Sequence, residues 1–257
     1  MTEELHSTID KMANDIINIL APCHPSIYLY GSVTLGDFKK GWSDIDILCL
    51  TKEQITQEQA DRLVELRQEL LESEPDNSYY RSFEGGILTC NGFLNQSPDR
   101  VVYWGTNGQR ITDKYSLDGF SMQQLLDTGI LLYGDDARKL MKKPNPEDLK
   151  NDIKRHYDTI RKYTQTTGRS LYSFGWLLDI ARGLYTLQTG KVIAKTVAGE
   201  WALENGLCPV PEALKKAVEI RKDPIKYKAD SIVMDYAESL GPDIQRFANI
   251  LEKELIN

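Results

Sequence analysis

This chain has no excess of positive charge, few histidines and no clustered cysteine. Its 31 Lys and Arg against 38 Asp and Glu leave a formal net charge of −7. A surface of that sign argues against non-specific nucleic-acid binding, which needs a basic face, and is compatible with a cationic small substrate. The three histidines, His6, His24 and His156, share no ligand spacing, so a zinc site is not expected. The four cysteines, Cys23, Cys49, Cys90 and Cys208, are widely spread with no Cys-x-x-Cys among them. Cys49 and Cys90 read as small core residues, and the set fits a reducing, cytoplasmic compartment. Met1-Thr2-Glu3-Glu4 is acidic and has no signal-peptide core. No apolar run approaches the ~20 residues of a membrane span, and there are no repeats or low-complexity tracts.

What is present is an ordinary globular composition, 41% apolar and 27% charged over 257 residues, enough for one large domain or two modest ones. Leu5, Ile9, Met12, Ile16 and Ile19 recur at helical spacing, which predicts an opening amphipathic helix ended by Ala21-Pro22. Strands are predicted near 27–31 and 44–50, a helix over 56–72 on the stripe Leu63, Leu66 and Leu70, strands near 82–91 and 100–104, a short helix near 118–128, and an edge strand at Gly129–Gly134. Character changes at Lys142-Lys143-Pro144-Asn145-Pro146-Glu147. Beyond it the pattern is helical, over 147–166, 170–189, 194–206, 210–222 and 226–256, the last broken or kinked at Gly241-Pro242. The expected architecture is therefore α+β: a mixed sheet with flanking helices over 1–143, followed by an all-α helical bundle over 144–257.

Chemistry concentrates between two of the predicted strands. Ile27-Tyr28-Leu29-Tyr30 runs into the corner Gly31-Ser32, and a second apolar run opens with Asp44-Ile45-Asp46. Alternation along a strand puts Asp44 and Asp46 on one face and Ile45, Ile47 and Cys49 on the other. Two acids so placed suit Mg2+, which binds through one or two carboxylates plus phosphates. The Gly-Ser corner offers backbone N–H groups and a hydroxyl to a phosphate. A two-metal phosphoryl-transfer site needs a further carboxylate, as ligand or base. Arg81-Ser82-Phe83-Glu84-Gly85-Gly86 supplies Glu84 on a nearby strand, beside glycines that permit close approach.

Gly31-Ser32, Asp44-x-Asp46 and Glu84 resemble the nucleotidyltransferase superfamily that includes DNA polymerase β, and their order is most similar to its antibiotic adenylyltransferases. Ala181-Arg182-Gly183, Thr189-Gly190-Lys191, and then Lys195, Ala198 and Glu200-Trp201-Ala202 are similar to a segment of the streptomycin and spectinomycin adenylyltransferases. Gly129-Ile130-x-Leu132-x-Gly134 also looks like their helix-to-strand junction. The resemblance implies transfer of AMP from ATP, with two Mg2+ ions, to a hydroxyl of an aminoglycoside or aminocyclitol antibiotic. It implies Asp44, Asp46 and Glu84 as metal ligands, Glu84 as general base, and Gly31, Ser32, Arg182 and Lys195 as nucleotide contacts. A monomer without nucleic-acid or membrane partners is expected.

The departures bear on the acceptor. The stretch Tyr163–Phe174 has no acid where that family carries the side chains that bind the drug. Tyr172 occupies one such position, Asp179 is the nearest carboxylate, and Trp104 matches an aromatic drug contact; these three are the expected substrate-binding residues. A lincosamide or another hydroxylated metabolite remains an alternative acceptor, as does a protein partner in a toxin–antitoxin pair, although the long helical region argues against the last. A dead nucleotide sensor would have no need of Glu84.

Overall fold

The apolar spacing of the first twenty residues builds helix α1, Glu3–Leu20, whose Leu5, Ile9, Met12, Ile16 and Leu20 are buried. Thr2 caps it, accepting from the Leu5 N–H at 3.3 Å. The structure, a computed structural model, describes residues 1–105 and 108–256. The chain falls into two compact units, Met1–Phe38 with Ser43–Lys143, and Lys39–Trp42 with Pro144–Asn257. The four residues 39–42, placed by sequence in the first region, thus belong with the second.

In the first unit α1 is followed by strands β1 (Pro25–Tyr30) and β2 (Ile45–Thr51), helix α2 (Gln57–Ser73), β3 (Phe83–Thr89), α3 (Cys90–Leu94), β4 (Val101–Gly105), β5 (Gly108–Thr112), α4 (Gly119–Thr128) and β6 (Ile130–Tyr133). The sheet order is β5-β4-β3-β2-β1-β6. β2 and β3 are parallel, as the α2 crossover between them requires, and the other neighbouring pairs are antiparallel. The edge strand expected at Gly129–Gly134 is the edge strand β6. β5 and α3 were not legible: Gln109-Arg110-Ile111-Thr112 is short, half-polar and only partly covered, and α3 is a single turn set by Thr89, which accepts from the Gly92 N–H at 3.1 Å.

Alternation sorts the sheet into two faces. Ile27, Leu29, Ile45, Ile47, Cys49, Ile87, Val102 and Trp104 join α1 and α2 in one apolar core. Tyr28, Tyr30, Leu48, Leu50, Leu88 and Val101 pack on the opposite face with Phe93 and Leu125. The second face is the one that Asp46, Glu84 and Tyr103 share by parity.

The second unit is helical: α5 (Pro146–Tyr163), α6 (Tyr172–Thr189), α7 (Lys195–Glu204), α8 (Pro211–Lys222), α9 (Pro224–Tyr227), α10 (Ser231–Ser239) and α11 (Gly241–Ile256). The Asn145-Pro146 signal is a full capping box: the Asn145 side chain accepts from the Asp148 N–H at 2.8 Å, and Asp148 accepts from the Asn145 N–H at 3.0 Å. The single helix expected over 226–256 is three, and the last begins at Gly241, where Pro242 cannot continue a preceding hydrogen-bond ladder. Phe174, Leu177, Ala181, Leu184, Leu214, Phe247 and Leu251 are fully or almost fully buried in this unit. No helix among the described residues is long and apolar enough to cross a membrane.

Candidate active site

β1 ends at Tyr30 and the chain turns at Gly31, whose φ is +74°. This conformation strains any residue with a side chain. The turn is tight: the Leu35 N–H donates to Gly31 O at 3.1 Å and the Asp37 N–H to Ser32 O at 2.9 Å. A Cβ on Gly31 would lie 1.9 Å from Asp46 Oδ2, so the corner and the carboxylate are in direct apposition. Ser32 Oγ donates to the carbonyl of Asp44 at 3.3 Å, tying the corner to the start of the acidic pair. Asp44 precedes β2 and Asp46 lies within it, and both are half-buried.

The parallel register pairs Asp46 with Glu84 on β3. Both strands start at the same end of the sheet, so both acids lie at one edge of one face. Glu84 stands on an interior strand. Tyr103, on the neighbouring β4, donates its hydroxyl to Glu84 Oε1 at 2.7 Å. Burial and that carboxylate push the Tyr103 hydroxyl up to about 12, so it stays a donor at neutral pH. Tyr115 lies against Gly86, where a Cβ would come within 2.6 Å of its ring, and its ring centroid is 6.1 Å from that of Tyr103. Gly86 is thus the space that Tyr115 fills. Burial, then the neighbouring Tyr115 and Asp46, raise the Tyr30 hydroxyl, which hydrogen-bonds Tyr115.

Among the described residues, no three His, Cys, Asp or Glu side chains come together closely enough to hold a metal ion by themselves. One oxygen of Glu84 is engaged by Tyr103. The Asp44–Asp46 pair still fits Mg2+, because that ion takes its remaining ligands from phosphates and water.

In the second unit, Asp179, Arg182 and Lys195 form one cluster. Lys195 Nζ is 2.9 Å and an Arg182 nitrogen 3.3 Å from Asp179 Oδ1. Burial works against the charge on Asp179, but Lys195 and Arg182 outweigh it and lower its pKa. Burial lowers the Lys195 ammonium, and Asp179 opposes that shift. Asp179, expected to bind substrate, is ion-paired to both cations. Tyr172 opens α6 at 62% exposure, and its ring meets Trp42 edge-on at 5.5 Å. Arg221 sits 5.7 Å from the Trp42 ring centroid.

Trp104 is a correction. It is fully buried, faces α2 on the side of the sheet opposite Glu84, and its indole N–H donates to Leu63 O at 2.9 Å. It cannot line a substrate site there; Tyr103, one residue earlier, points to the acids. Sequence reasoning also missed Arg67. It is buried on α2 and donates to Phe83 O at 2.8 Å and Gly105 O at 3.1 Å, joining the start of β3 to the end of β4. The signal was available: Arg67 lies four residues after Leu63 and three before Leu70, on the apolar stripe.

Residues 15–90 match the nucleotidyltransferase domain family, and residues 140–241 match the aminoglycoside adenylyltransferase C-terminal domain family. No curated protein matches the chain. Among solved structures, the chain is similar to spectinomycin adenyltransferase AAD(9) from Enterococcus faecialis, crystallised with ATP and spectinomycin. The TM-score is 0.72 at 20% identity, over 96% of this chain and 99% of that one. At that identity the likeness is one of fold.

Proposed function

Because the chain belongs to the aminoglycoside adenylyltransferases, enzymes that join a nucleotidyltransferase domain to that C-terminal domain, we propose that it transfers AMP from ATP to a hydroxyl of an aminocyclitol antibiotic. Spectinomycin is the first acceptor to test, since the similar fold was solved with it, and streptomycin the second. The observation that carries the reading is the register of Asp46 opposite Glu84, with Gly31 against the Asp46 carboxylate.

In this reading Gly31 and Ser32 take the phosphates of ATP. Asp44 and Asp46 would hold Mg2+, which when bound offsets the charge of the triphosphate. Glu84 takes the proton of the acceptor hydroxyl. The acceptor oxygen bonds to the α-phosphorus as the bond from that phosphorus to the bridging oxygen breaks, and the electron pair leaves with pyrophosphate. A placed base of this kind contributes about 10²–10⁴-fold; most of the remainder comes from positioning and charge stabilisation.

The test is incubation with Mg2+ and α-labelled ATP across spectinomycin, streptomycin, other aminoglycosides and a lincosamide, following pyrophosphate release. Label on an aminocyclitol supports the proposal. Label only on a lincosamide, on a protein, or on nothing overturns it.

A further inference from the structure

Tyr103 has no place in the motif that identifies the acids, yet it makes the one hydrogen bond described above to the Glu84 side chain. Its hydroxyl reaches Glu84 Oε1 at 2.7 Å from the adjacent antiparallel strand. The Arg110 guanidinium lies 4.5 Å from its ring centroid, and Tyr115 lies beside it. A half-buried phenol so held cannot swing away without breaking a cation–π and an aromatic contact.

We propose that Tyr103 is the positioning residue of the base: it anchors Oε1 and thereby aims Oε2 of Glu84 at the acceptor hydroxyl. The inference rests on the proposed role of Glu84 and deepens it. The physical need is specific. A glutamate side chain has three rotatable bonds, and a carboxylate near the start of a strand samples several rotamers unless one oxygen is tethered. A phenol whose ring is held between Arg110 and Tyr115 is a suitable tether, because its hydroxyl reaches one carboxylate oxygen and leaves the other free to act. In this role Tyr103 acts through Glu84.

The experiment replaces Tyr103 with Phe, which keeps the ring for Arg110 and Tyr115, and with a ring-fluorinated tyrosine, which keeps both ring and hydroxyl. In Tyr103→Phe, kcat is expected to fall roughly ten- to a hundredfold, the scale of one hydrogen bond to a charged group. KM for ATP should stay within about twofold, since ground-state nucleotide binding is not involved. The fluorinated enzyme should recover turnover, and its fluorine NMR signal should move when Glu84→Gln is added. A Tyr103→Phe enzyme with wild-type kcat, or a fluorinated enzyme as slow as the Phe variant, would overturn the assignment. Glu84→Gln separates the two layers. If that variant keeps full turnover, the base and the tether fall together; if it is inactive while Tyr103→Phe is unimpaired, only the tether falls.

Discussion

A side-chain carbon built on Gly31 would stand 1.9 Å from Oδ2 of Asp46, well inside any van der Waals contact. One glycine therefore governs whether the carboxylate can keep its place. Gly31→Ala is penalised twice, by the positive φ of +74° and by the collision. Turnover is expected to fall by about 10²-fold or more, since a displacement of an ångström at a reacting centre costs that much. Pyrophosphate release beside a circular-dichroism melt checks this; a folded, fully active Gly31→Ala enzyme would refute the apposition.

Asp46→Asn keeps the shape of the side chain and removes its charge. Heats of Mg2+-dependent ATP binding are expected to disappear in calorimetry, while the unfolding midpoint holds or rises. Unchanged titration heats would remove Asp46 from the nucleotide site.

Asp179 lies between Lys195 and Arg182, and its side chain is 19% exposed. Asp179→Asn leaves two cations facing each other and is expected to cost about 1–3 kcal/mol, below the range for a wholly dry pair because water reaches this one. The pH dependence follows from the lowered pKa of Asp179. Its folded value lies below the unfolded value of about 3.9, so the contribution is complete above that pH and lost as pH falls through the folded value. Denaturant unfolding at neutral pH and near pH 3 should show the gap between wild type and variant closing in acid. A gap that does not change with pH would contradict the ion-pair account.

Trp104→Ala should behave as a core truncation. The site loses a fully buried indole and leaves Leu63 O without its donor, which costs about 3–5 kcal/mol. Acceptor preference should be unchanged in whatever fraction stays folded. A variant of normal stability with altered drug selectivity would restore Trp104 to the substrate site.

Glu84 and Trp104 show what a strand expected from sequence settles and what it leaves open: both residues lie on expected strands. Glu84 was useful because its neighbours, Phe83 and Gly85-Gly86, mark a strand that must approach something closely. A role for Trp104 depends on the parity of β4 relative to β3, which the sequence does not give. That parity depends on the register Gly85 with Trp104 and Gly86 with Tyr103. A shift of one residue exchanges the two faces, so the aromatic that meets the acids is Tyr103.

Asp179 illustrates a second limit. Local sequence identified it as the nearest acid to the missing drug contacts. Its partner Lys195 is sixteen positions away on another helix, and nothing local marks that pairing.

The linear chain by itself determined most of the helices and strands, the change of character near Pro144, and the Gly-Ser and Asp-x-Asp elements. Those depend on spacing, caps and turn chemistry within a few residues. Only the tertiary structure decided which side chains meet: Tyr103 on Glu84, Tyr115 over Gly86, Asp179 between its two cations, and Trp104 in the core. Such contacts are set by strand register and helix packing, and these in turn depend on burying apolar surface across the whole unit, which no short window of sequence contains.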